Sequence, residues 1–275
     1  MTVKVTVELL LSGTYSIWQA RSICPGDTAD FAQGPNRKHR TDAQVQAIED
    51  DADADVNREC HTANDRCIET LKAGDYADKL VEQNPTLLTK EAISTTVQGK
   101  TIYAYKLTDG VAKPKSLYFQ SLLHAREWVA GSSTLYALSA ILDDIENKKH
   151  TVVNSYNLYF VPIVNIDGYD ISWNSKRLQR KKANEVDLNH NWPARFDHPE
   201  KDNGSSSQTY RGEGPLSELE TKAIELWLKN KNSEISGWVD VHSYAGKILY
   251  PNGDTKELIG NDDDDKFKVL GGMHY

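Results

Sequence analysis

The sequence predicts an α/β domain of three layers, with a mixed, mainly parallel central sheet lying between helices. Three observations predict it. Apolar runs of strand length recur from Leu117, over residues 158–164 and over residues 237–244. Between them, residues 132–146 place Leu135, Leu138, Leu142 and Ile145 on one face at helical spacing. Polar loops rich in turn-forming residues join the two kinds of segment, so strands and helices alternate as they do when helices cover both faces of a sheet.

In chain order, residues 1–67 carry little periodicity and include the polar clusters GPNRKHR and EDDADAD. They read as a poorly ordered leader or the remnant of a pro-segment, and the domain proper as residues 68–275. Residues 68–82 predict a helix that stops before Asn84-Pro85. Thr101–Leu107 alternates as a strand after a polar Gly-Lys turn. The Gly-Lys-Thr triplet there is no phosphate loop, because Ser94 stands where such a loop requires glycine. The strand from Leu117 is followed by the 132–146 helix, and the 158–164 strand by a long loop in which Asp167-Gly168 predicts a turn. Ser217 and Glu220 have capping-box spacing and predict a helix running to Lys229. The acidic run at residues 261–265 reads as the N-terminus of another helix.

Composition narrows the function classes. The 275 residues are 39% hydrophobic and 26% charged, as in a soluble globular chain, and the net charge of -8 argues against a nucleic-acid surface. No apolar run is long enough to span a bilayer, so a membrane span is not expected. Cys24, Cys60 and Cys67 allow one disulfide and one spare thiol, most simply across Cys60 and Cys67. Their spacing matches no common zinc pattern. The N-terminus lacks a clear signal-peptide cleavage site, while Asn203-Gly204-Ser205 is a glycosylation acceptor if the chain is secreted.

The chemistry gathers at strand ends. The run from Leu117 finishes in His124, Arg126 and Glu127, and His124 with Glu127 is a metal-ligand pair lacking a third partner. By itself H-x-x-E is weak, since eight histidines in a chain of about 6% Glu produce it by chance roughly every second time. The strand ending at His242 changes the weighing. Two strands of one sheet bring their ends together, and two His with one carboxylate leave a tetrahedral zinc one open position, as a catalytic site requires.

With HAREW, VNIDGYDISW, RLQRKK, VDLNHNWP and DVHSYAGKILYP in one order, the chain resembles the zinc metallocarboxypeptidases of the pancreatic carboxypeptidase A and B family, over residues 76–273. The resemblance implies one zinc ion held by His124, Glu127 and His242, and removal of C-terminal residues from peptides. It implies that Arg180 polarises the scissile carbonyl and stabilises the oxyanion, that Arg177 and Tyr244 line substrate subsites, and that Asn189 binds the terminal carboxylate. Asp187 aligns with the carboxylate that accepts the remaining ring N–H of the first zinc histidine. A secreted, monomeric enzyme acting on peptide or protein substrates is expected.

Two departures accompany the resemblance. His190 stands where the family carries the arginine that grips the C-terminal carboxylate, and imidazole is cationic only near or below pH 6.5 whereas guanidinium always is. The family's general-base glutamate lies on a strand several dozen residues past the third zinc ligand. The domain is therefore expected to lack the family's C-terminal part, and the chain to be inactive or weakly active. The alternatives are a zinc- and peptide-binding module without catalysis, or a degenerate fragment.

Overall fold

The computed structural model describes residues 3–8, 73–194, 196–197, 204–243 and 248–249. The three cysteines, Asn203, Tyr244 and the acidic run at 261–265 lie outside the described residues, as does most of the leader.

The described elements are β1 (Val3–Glu8), α1 (Ala73–Gln83), β2 (Leu88–Thr95), β3 (Thr101–Leu107), β4 (Ser116–Ser121), α2 (Trp128–Glu146), β5 (Asn157–Val161), α3 (Ile166–Asn174), α4 (Leu219–Asn230), β6 (Ile235–Ser243) and β7 (Ile248–Leu249). The strands form one sheet in the order β2-β3-β5-β4-β6-β1-β7. The sheet is mixed. It is parallel at its centre, where β4 pairs with β5 and β6, and antiparallel through β5-β3-β2 and at β6-β1.

Pleating sends alternate side chains of each strand to opposite faces, and each face has its own core. Leu107, Leu158 and Phe160 point to one side, where they meet Ala77 and Leu80 of α1 and Leu135, Leu138 and Leu142 of α2. Ile102, Ala104, Tyr118, Tyr159 and Val161 point to the other, against Ile224 of α4 and Leu188. Covered on both faces and paired on both edges, β5 is buried along its whole length. This is the expected three-layer arrangement.

Several local expectations are corrected. Asp167 and Gly168 are not in a turn but in the first turn of α3. Asn165 caps that helix by accepting from the Gly168 N–H at 3.0 Å. Asp167, fully buried, instead accepts from Thr96 Oγ1 and the Gln98 N–H, anchoring the β2-β3 turn. The capping box is absent: α4 has Glu218 at its N-cap with no side-chain cap, and Ser217 Oγ and Glu220 both have other partners. Helix α2 starts at Trp128, four residues before its predicted start at Ser132. The edge strand β2, exposed along much of its length, shows no clean alternation and left no signal.

β1 belongs to the stretch read as a leader. It pairs antiparallel with β6, Lys4 opposite His242, and parallel with β7. Its sequence, VKVTVE, does alternate with period two over six residues.

Candidate metal centre

The C-terminal ends of parallel strands β4 and β6 are neighbours, with Ser121 in register with Val241. After Ser121 the chain turns sharply through Leu122, a non-glycine residue at φ 56°. Such a conformation needs support from its surroundings. Asn165 supplies it, its N–H donating to Leu122 O at 3.0 Å and its Nδ2 to Leu123 O at 3.1 Å. Gly131 leaves room for the Leu122 side chain, because a Cβ there would sit 2.6 Å from Leu122 Cδ1 and force that side chain to shift.

This turn delivers His124 and Glu127 to the end of β6. His124 Nδ1 lies 2.8 Å from Glu127 Oε1, His242 Nδ1 lies 2.9 Å from Glu127 Oε2, and the two Nδ1 atoms are 3.0 Å apart. All three residues are buried, and their donor atoms fall within 4.8 Å of one another. Glu127 stands at the N-terminus of α2 and also accepts from the Ser243 N–H at 3.2 Å. Burial raises its carboxyl pKa, but the two imidazoles outweigh that and hold it well below the ordinary carboxylate range.

The far side of each ring faces another buried carboxylate. His242 Nε2 hydrogen-bonds Asp240 Oδ2 at 3.0 Å. His124 Nε2 lies 3.3 Å from Asp187 Oδ1, off line for a full hydrogen bond. Each far carboxylate favours a ring N–H on Nε2, which turns the Nδ1 lone pairs toward the shared centre. Two lone pairs and a carboxylate converging at 3 Å repel unless a proton or a cation lies among them. Burial lowers the His242 pKa, yet Asp240 and Glu127 more than compensate and it is pushed up to about 10. A divalent cation satisfies the same demand. For ligand bonds of about 2.0–2.1 Å, tetrahedral zinc sets its donors about 3.3 Å apart, so the three need to spread by only a few tenths of an ångström. The donor set fits zinc.

Asp187 links this centre to Arg180. It precedes the 3-10 turn Leu188–His190 and is fully buried. Its Oδ2 accepts from Arg180 Nη2 at 2.8 Å and Nε at 3.1 Å, and its Oδ1 from the Asn189 N–H at 3.0 Å. Burial raises its pKa, and His124, Arg180 and His190 together bring it well below the ordinary range. Arg180 also donates to Gln208 O. His190 Nε2 is 3.9 Å from Asp187 Oδ2, so the residue that departs from the family pattern faces the same carboxylate as Arg180. Arg177 stacks on Trp128, 3.8 Å from the ring centroid, and donates to Arg126 O at 2.9 Å.

The fold thus brings His124, Glu127 and His242 to one point, with Asp187 behind His124 and with Arg180, His190 and the Asn189 N–H on Asp187, while Tyr244 lies outside the described residues. Asp240 was not singled out in the sequence, although Asp-x-His on a strand places both side chains on one face.

A three-layer α/β sheet with a buried His/Glu/His cluster at the ends of adjacent parallel strands defines a protein with a candidate metal-binding centre. The family model described as zinc carboxypeptidase matches residues 74–272, and the chain belongs to that family. Human mast cell carboxypeptidase A is 29% identical over 199 residues, 69% of this chain and 48% of that protein. Bovine carboxypeptidase B is 30% identical over 193 residues, 66% of this chain and 46% of that protein. The chain therefore spans about half the length of these relatives. The crystal structure of thrombin activatable fibrinolysis inhibitor shares the fold with a TM-score of 0.68 at 20% identity, over 84% of this chain and 65% of that one. Carboxypeptidase A from Helicoverpa armigera does so with 0.67 at 21%, over 84% and 59%.

Proposed function

We propose that this chain is the metal-holding part of a zinc-dependent metallocarboxypeptidase that removes C-terminal residues from peptides. One zinc would be held by His124 Nδ1, the Glu127 carboxylate and His242 Nδ1. The observation that carries this reading is the convergence of those three buried donors, contributed from both halves of the chain. When bound, zinc supplies Lewis acidity and activates water for attack on a peptide carbonyl.

The remaining roles belong to the chain's own residues. Asp187 orients Arg180, whose guanidinium is the cation available to charge developing on the carbonyl oxygen. Asn189 and His190 occupy the next turn and would meet the substrate's terminal carboxylate, His190 as a weaker and pH-dependent partner than arginine. A secreted monomer acting on peptide or protein substrates is part of the proposal, and the Asn203-Gly204-Ser205 acceptor is what the sequence offers toward secretion. Bovine thrombin-activatable fibrinolysis inhibitor, which shares the fold at 23% identity, has a structure in complex with a tick carboxypeptidase inhibitor, and an inhibitor of that kind is a candidate ligand here.

One observation favours a second reading, a zinc- and peptide-binding module with little turnover. Among the described residues, every carboxylate at the centre is engaged: Glu127 with both imidazoles, Asp187 with Arg180, and Asp240 with His242. None of the three is placed as a general base, whose loss typically slows a reaction by about 10²- to 10⁴-fold.

Metal analysis of the purified chain tests the shared part. One zinc per chain is expected, lost in His242→Ala. No zinc in the unaltered chain would sink both readings. Chelator-sensitive hydrolysis of a free-carboxylate peptide over its amidated twin separates enzyme from module.

A further inference from the structure

We propose that Asp240 is a positioning residue that locks the His242 ring so that Nδ1 faces the metal point. The inference rests on the zinc reading of His124, Glu127 and His242, and adds to it a residue that the sequence resemblance did not assign.

The placement follows from the strand. Asp240 and His242 are two residues apart on β6, so both side chains leave the same face of the sheet. β6 is paired along both edges, with β4 on one side and β1 on the other, which fixes the spacing between the two residues. With the backbone held there, Asp240 Oδ2 meets His242 Nε2 at 3.0 Å and the opposite ring nitrogen meets Glu127 Oε2 at 2.9 Å. The ring is gripped at both ends. On His124 the corresponding contact with Asp187 is longer and off line, so the better-made carboxylate–imidazole pair is the one on β6.

Asp240 is also an odd choice for the fold. It is only 7% exposed, and it sits in register with the wholly buried Gln120. Its Oδ1 has no hydrogen-bond partner among the described residues. A carboxylate is costly to bury unless it is paired, and the partner found for this one among the described residues is the His242 ring. Charge at the centre accounts for it: Arg180 offsets Asp187, and Glu127 with Asp240 supplies the two negative charges that balance a dication.

The test uses the full chain with zinc, then cobalt, as probe. Zinc affinity is measured by competition with a fluorescent chelator, the cobalt visible spectrum reports ligand geometry, and thermal melts of metal-free protein report folding. Asp240→Leu should lose about 10- to 100-fold in zinc affinity and shift the cobalt bands. Asp240→Asn, near in shape but uncharged, should fall between. Metal-free melts fix a temperature at which both variants stay folded, since losing the carboxylate partner of a buried imidazole lowers stability. Unchanged affinity and spectrum in both variants, measured on folded protein, would overturn the inference. Failure of the unaltered chain to bind zinc would instead strike the underlying reading.

Discussion

Lys182→Met should destabilise the protein severely, although Lys182 hydrogen-bonds none of the three proposed metal ligands. The Lys182 side chain is wholly buried, and its Nζ donates to Glu218 Oε2 at 2.8 Å and to Glu220 Oε2 at 2.7 Å. The two acceptors are not equally dependent on it. Glu218 also accepts from Asn184 Nδ2 and Ser217 Oγ. Glu220 has no other side-chain partner for Oε2, and its Oε1 is buried without one among the described residues. Removing the ammonium therefore strands the Glu220 charge, and breaking such a buried pair costs about 3–5 kcal/mol. For a domain of this size each kcal/mol lowers Tm by about 2–4 °C, giving a fall of roughly 6–20 °C. The damage should reach the centre, because Lys182 N–H donates to Val186 O and so shapes the loop between Arg180 and Asp187. Calorimetry of the metal-loaded chain measures the fall. Lys182→Met with Glu220→Leu should recover most of it, since an apolar pair leaves no charge unmatched. A single variant melting within about 2 °C of the unaltered chain would refute this accounting.

Three further outcomes are expected. Gly168→Ala should lower stability by about 1–3 kcal/mol, because a Cβ there would lie 2.6 Å from Asn165 Oδ1 and 2.7 Å from Lys181 O, whereas Gly74→Ala, with open space around it, should be neutral or stabilising in the same melts. Asp187→Asn should weaken zinc binding by about 10- to 100-fold in chelator competition, since it removes the carboxylate behind His124. Acid should unfold the chain partly through Glu234: burial raises its pKa, but the Ser116 hydroxyl, Lys106, Tyr159 and Lys231 bring it below the ordinary 4.5. The unfolded chain then takes up the proton first, so this stability is complete above about pH 4.5 and lost as pH falls through the lower folded value. Glu234→Gln should flatten the decline of Tm with acidification, and an unchanged slope would count against the assignment.

Much of this protein was legible before any coordinates. The alternation of apolar runs with helical spacing was enough for an α/β fold, because side chains covered on both faces of a sheet are mostly apolar. His124, Glu127 and His242 were legible for a related reason: each closes a strand-like run, and strand ends are where polar side chains leave the core. The Asp167-Gly168 turn misled because turn propensity is local. The Asn165 side chain caps the segment as a helix, and Thr96, distant in sequence, takes up the Asp167 carboxylate that a turn would have used. Only the tertiary structure decided that Arg180 and His190 share Asp187, that Lys182 is buried among carboxylates, and that Asp240 backs His242. Each is a matter of which charge lies within about 3–4 Å of which. That distance depends on strand register and loop packing, and sequence spacing does not encode it.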